Sequence, residues 1–165
     1  MLSNRIDAVI QSFGRVICWA NALLLGVITA QVALRYGFNK GLVVLEELQW
    51  HIYAVTMMFA LAYNLSIDLD VRVDIFYRRW SPRNRARWDM FGIIVFVIPF
   101  VIVVLINSFE FVYDSWRVNE HSSAPTGLPW RWLIKSVIPI SFGLLFAAAF
   151  ARLLHNIVIV ISSPR

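Results

Sequence analysis

Glu46 and Glu47 stand at the start of a long apolar run, with His51 four residues beyond Glu47. Acidic side chains beside such a run are costly unless hydrated or paired, so they mark candidate function. A spacing of four puts Glu47 and His51 on one helix face, within hydrogen-bonding reach. Three readings are open for the two carboxylates: hydrated residues favoured by a helix N-terminus, a polar contact with a partner subunit, or coupling to a transported ion. Past the run, Asp68, Asp70, Arg72 and Asp74 form a mixed-charge cluster, followed by Arg78, Arg79, Arg83, Arg85 and Arg87. This segment reads as an anchor touching anionic headgroups, or as a docking surface for another protein. Lys135 is placed to pair with Glu110, and that pair would be structural rather than catalytic.

Other chemistries fare worse. Haem held between two histidines needs both at similar depth. His51 lies near one end of its run, whereas His155 lies on the order of 30 Å deeper along the last helix. His121 falls in a loop. The single cysteine, Cys18, lies in an apolar run, and no Cys/His cluster suggests zinc. There is no Walker loop, no HExxH and no GxSxG motif. The reading is of a protein that is not an enzyme, with no cofactor and no metal.

The elements that position these residues are four long apolar stretches, at Val16–Leu34, Leu42–Ile67, Met90–Phe109 and Ser136–Ile161, the last helix opening near residue 133. A hydrocarbon core about 30 Å thick takes about 20 helical residues to cross. Hydrophobic residues make up 59% of the chain and charged residues 15%, far from the roughly 25% charged of soluble domains. The expected fold is therefore an all-α membrane protein, one four-span domain over residues 1–165. Leu2, Ile6, Val9, Ile10 and Phe13 recur at helical spacing ahead of the first span. They predict an N-terminal amphipathic segment on the bilayer surface or continuing into that span. The first run has no convincing cleavage site and reads as an uncleaved span.

Smaller signals complete the outline. Ser81-Pro82 predicts a helix start, with serine as N-cap and proline at the first helical position. Ser122–Pro129 is rich in Ser, Pro and Gly and predicts an irregular loop. Pro99 and Pro139 fall inside spans, where neighbouring groups satisfy the freed carbonyls. The tryptophans Trp50, Trp80, Trp88, Trp116, Trp130 and Trp132 sit near span ends. Orientation follows from the basic residues. Arg5, Arg15, Arg72, Arg78, Arg79, Arg83, Arg85, Arg87, Arg152 and Arg165 share one side, against Arg35, Lys40, Arg117, Arg131 and Lys135 on the other. Ten against five places both termini in the cytoplasm. The formal net charge of +5 is explained by this bias, so nucleic acid is not an expected partner.

Without inverted repeats or broken half-helices, four spans make a poor autonomous transporter. The order of motifs resembles a known family. Leu45-Glu46-Glu47-Leu48-Gln49-Trp50-His51 leads into a span that exits through Asp70-Val71-Arg72-Val73-Asp74. Later come Ser115-Trp116, Glu120 and Ser122, then Gly127-Leu128-Pro129-Trp130-Arg131-Trp132-Leu133-Ile134-Lys135, with Ile138-Pro139 and Phe142. Over residues 15–160 this resembles the small membrane (DctQ-type) subunit of the tripartite ATP-independent periplasmic (TRAP) transporters. The family often has histidine before the exit motif, where this chain has Asp70. The resemblance implies a small permease subunit in the bacterial inner membrane. It would scaffold a large membrane subunit that imports a small solute, commonly an organic acid, on a sodium gradient. A periplasmic solute-binding protein would deliver the solute. Glu46, Glu47, Trp50, Arg72, Asp74 and Lys135 are the candidate partner-interface residues. The alternative reading is a membrane anchor of a haem- or quinone-linked respiratory enzyme.

Overall fold

A computed structural model describes residues 2–67 and 80–162, with side chains at Ser12 and from Trp19 onward. Arg72, Asp74 and the rest of the 68–79 charge cluster lie outside the described residues, as do the side chains of the amphipathic segment and of Cys18. The described residues hold four helices and no strand. Helix α1 spans Leu2–Gly37 and α2 spans Val43–Ser66. Helix α3 runs Pro82–Arg117 as one continuous element, and α4 spans Arg131–Ser162. The N-terminal segment continues into α1 with no break.

Local chemistry sets the helix limits. The N–H groups of Phe38 and Lys40 return to the Leu34 carbonyl at 3.2 and 3.0 Å. Asn39 turns the chain at φ 52°, a left-handed conformation that asparagine tolerates well. Ser81 caps α3 as the sequence implies, its Oγ accepting from the Asn84 N–H at 3.4 Å with Pro82 next in line. Within α3, Ile93–Val97 is a π-helical turn just ahead of Pro99. Proline has no N–H to donate to the preceding turn. A one-residue register shift absorbs that loss, with the Ile98 N–H bonding the Ile93 carbonyl.

Helix α4 is the centre of the bundle. It packs against α1, α2 and both halves of α3, while α1 packs on α2. The core joins Ala62 of α2 and Val101 of α3 to Phe142, Leu145 and Ala148 of α4. The Phe100 and Phe142 rings meet edge-on with centroids 5.9 Å apart. Ala148, Ala149 and Ala151 are all buried, and such small side chains let helix backbones approach closely. Ala62 and Val101 lie opposite the middle of α4, so the starts of α2 and α4 and the end of α3 share one end of the bundle. His51 and His155 fall towards opposite ends, in agreement with the depth argument.

Helices α3 and α4 are each long and apolar enough to cross a membrane. Only 11% and 28% of their most apolar windows are buried inside the molecule. A core helix of a water-soluble protein would show the reverse. Phe96, Phe100, Ile106 and Phe109 all face outward, each more than half exposed. An apolar surface of this extent is stable only under lipid or another protein.

Candidate functional site

The polar residues of α1, α2 and the α3–α4 connection converge at the shared end of the bundle. Glu47 sits in the second turn of α2. One carboxylate oxygen accepts from the Ser122 hydroxyl, and the other accepts from the Leu128 backbone N–H at 2.5 Å. The side chain thus bridges both ends of an irregular stretch 75 to 81 residues away in sequence. Ser122 Oγ also accepts from the Ala124 N–H at 3.2 Å, and the Gly127 N–H closes a turn on the Ala124 carbonyl at 3.0 Å. Bonds to an ionised acceptor are about twice as strong as neutral ones. Glu47 therefore holds this loop against the head of α2. The Ser122–Pro129 stretch carries neither helix nor strand, as its composition implies.

His51 does not bond the Glu47 carboxylate. Its Nδ1 donates instead to the Glu47 backbone carbonyl at 2.5 Å, leaving both carboxylate oxygens to the loop. Glu46 is half exposed, and Arg35 at the end of α1 lies 3.8 Å away. Below it, Gln49 Nε2 donates to Gln31 Oε1 at 3.0 Å. Gln31 is buried, so this bond joins α1 to α2 in the apolar layer. Trp50 is 71% exposed and flanks a cleft with Leu24 and Ile28 of α1, open to lipid or a partner.

Lys135 corrects one expectation. Its partner is Glu120, not Glu110, which is exposed. The reason is the way α3 ends. Asn119 adopts φ 47°, the Asn119 N–H returns to the Trp116 carbonyl at 3.1 Å, and the Glu120 N–H returns to Ser115 at 3.0 Å. This is a Schellman C-cap with asparagine in the left-handed position. It swings Glu120 over the start of α4. There its carbonyl accepts from the Arg131 N–H at 3.1 Å. Its carboxylate accepts from Lys135, with the Arg131 guanidinium 3.8 Å away. A negative charge at a helix N-terminus is favourable in its own right. The Lys135 ammonium also lies over the Phe111 ring, 4.0 Å from its centre.

The Lys135 ammonium, with Arg131 beside it, holds the Glu120 carboxyl below the ordinary glutamate value of 4.5. A depressed pKa stabilises the folded state above the ordinary value and loses that contribution as pH falls through the depressed one. The docking of the connection onto α4 should therefore be constant from neutral pH down to about pH 5, then weaken with acid. Hydrogen exchange of residues 118–130 as a function of pH checks this. Lys135→Gln should shrink the acid transition, leaving the part that the Glu47 carboxylate contributes through its bonds to Ser122 and Leu128.

Two clusters thus tie the 118–130 connection down, Glu47 from α2 and Lys135 from α4. Of the sequence-derived candidates, Glu46, Glu47 and Trp50 lie within two turns of α2 but serve different contacts, Glu46 towards Arg35 and Glu47 towards the connection, while Lys135 of α4 pairs with Glu120. The part that escaped the spacing analysis is the mutual contact of Glu47, Ser122 and Leu128, all of which stand in the motif strings. Among the described residues no group of three or more His, Cys, Asp or Glu is placed to hold a metal.

No curated protein and no solved structure matches the chain. A family model does, over residues 24–158: tripartite ATP-independent periplasmic transporters, DctQ component. The matched stretch contains α2, α3, the tied connection and nearly all of α4. The chain belongs to the DctQ family, the components of tripartite ATP-independent periplasmic transporters.

Proposed function

We propose that this chain is the small permease subunit of a sodium-driven TRAP transporter in the bacterial inner membrane. It scaffolds the large membrane subunit, which imports a small solute, an organic acid, delivered by a periplasmic binding protein. The observation that carries this reading is the family match over residues 24–158. The outward apolar faces of α3 and α4 support it, as surface that a large membrane partner and lipid would cover. The four helices make four spans with both termini cytoplasmic, from the ten-to-five basic bias. The tied connection then lies in the periplasm.

In this arrangement Glu46 and Trp50 present the partner contact, while Glu47 and Lys135 shape the connection beside it. Arg72 and Asp74 form a second contact on the cytoplasmic side. The test is co-purification from membranes with the large subunit. The wild-type pair should elute as one complex, and Glu46→Gln with Trp50→Ala should reduce recovery several-fold while the subunit itself stays monodisperse. Unchanged recovery would remove these residues from the interface. Cysteines introduced at Ser123 and Ser163 test the topology. Ser123→Cys should label from the periplasm and Ser163→Cys only after permeabilisation, and the reverse pattern would overturn the orientation.

A further inference from the structure

The outward face of α3 turns polar before the helix leaves the bilayer. Val103, Asn107, Glu110 and Asp114 follow one another at intervals of three and four residues, which places them in one stripe along the helix. All four are exposed. Lys135, the cation expected for Glu110, is taken by Glu120. Among the described residues neither the Glu110 nor the Asp114 side chain has a hydrogen-bond or ion-pair partner. Like charges four apart on a helix also repel each other.

Depth makes this arrangement costly. Trp116 and Trp132 flank the same end of the α3–α4 pair, and indole rings favour the level of the headgroups. Asp114 lies close to that level. Glu110 precedes Trp116 by six residues and so lies about 9 Å deeper, and Asn107 about 14 Å deeper, at 1.5 Å per residue. A carboxylate on an outward face at that depth is unfavourable against lipid, and such groups face protein instead.

The stripe is also one-sided in its hydrogen bonding. Asn107 Nδ2 donates back to the Val103 carbonyl at 2.7 Å, so its Oδ1 is what the amide still offers. An amide oxygen and two carboxylates are all acceptors, and what meets them must donate. Beside the stripe, a groove of about 460 Å³ is lined by Val103, Val104, Asn107, Ser108 and Phe111 of α3 and Ile138 of α4. Its walls are mostly apolar and suit an apolar side chain.

We propose that this stripe is a docking face for a helix of the large membrane subunit, one that brings an arginine or lysine to Glu110 and an apolar side chain to the groove. A lipid is the poorer occupant. Its phosphate is repelled by the carboxylates, and an ethanolamine headgroup stays at the indole level, above Glu110. The face rests on the functional reading given above and adds to the contact at Glu46 and Trp50.

The test uses the full-length chain expressed with its large subunit in membranes. The photoreactive residue p-benzoylphenylalanine replaces Val103. Illumination should join the chain to the large subunit, at a helix that carries an arginine or lysine. Adducts with lipid alone, or with a second copy of this chain, would overturn the face. Glu110→Gln should lower co-purification of the large subunit roughly fivefold, the loss of one charge from a desolvated pair. The purified variant should melt as wild type does, because the side chain has no partner within the subunit. Unchanged recovery, or a loss matched by an equal loss of subunit stability, would overturn the proposal. If wild type binds the large subunit but Val103 never reaches it, this face alone is refuted. If wild type never binds it, the functional reading fails instead.

Discussion

Replacing Glu47 by alanine should release the loop between α3 and α4 and cause the largest functional loss of any single substitution at this end of the bundle. The carboxylate makes the bonds to both Ser122 and Leu128. Without it the Leu128 N–H and the Ser122 hydroxyl lose their acceptor at once, and both must find water. Labelling of a cysteine at Ser123 should accelerate several-fold in the Glu47→Ala background, and uptake by the assembled transporter should fall with it. Glu47→Gln should be intermediate, since an amide oxygen still accepts while the charge is gone. The sodium dependence of residual uptake should keep its shape. If labelling is unchanged but the sodium dependence shifts, Glu47 serves ion coupling and not loop docking.

Gly127→Ala attacks the same contact from the other side. A Cβ there would clash with the Ser122 side chain and come within 2.8 Å of the Glu47 carboxylate. These atoms are held by their mutual bond, so the loop itself must move. Overpacking of this kind costs about 1–3 kcal/mol. Thermal unfolding of the purified subunit should show that loss, and Ser123→Cys labelling should rise as it does for Glu47→Ala. Gly143→Ala is the control. Its added methyl meets nothing within 4 Å, and alanine in a helix is favoured over glycine by up to about 1 kcal/mol. That variant should be neutral or slightly more stable. A Gly127→Ala protein as stable as wild type would mean that the loop does not pack as described.

Helices were legible in the sequence because apolar run length, Ser81-Pro82 and the irregular Ser122–Pro129 stretch are local signals. Each reports on its own neighbourhood and each is matched by the structure. The limits were less legible. Helix α3 starts where Ser81-Pro82 implies, but it runs past the apolar stretch ending at Phe109 to Arg117, because charged and polar turns continue a helix without adding apolar length. The π turn at Ile93–Val97 left no mark beyond Pro99 itself.

The site was half legible. Glu46 and Glu47 drew notice as acids beside an apolar run, a cost that a sequence displays. What Glu47 binds was hidden, because Ser122 and Leu128 are brought to it only by the packing of α2 on α4. Lys135 was assigned to Glu110 because both were expected at the same end of neighbouring spans. The Schellman turn at Asn119 redirects the chain and delivers Glu120 first. His51 shares the helix face of Glu47 as spacing implies, yet it bonds the backbone carbonyl, a competitor that helical spacing does not reveal.

The central claim is that this chain supports transport without performing it. The most direct measurement is solute uptake into liposomes under an inward sodium gradient, with loaded binding protein outside. Three preparations are compared: this subunit alone, the large subunit alone, and the two together. The account predicts sodium-driven uptake only when both subunits are present. Uptake by this chain alone, or full uptake by the large subunit without it, would contradict the account.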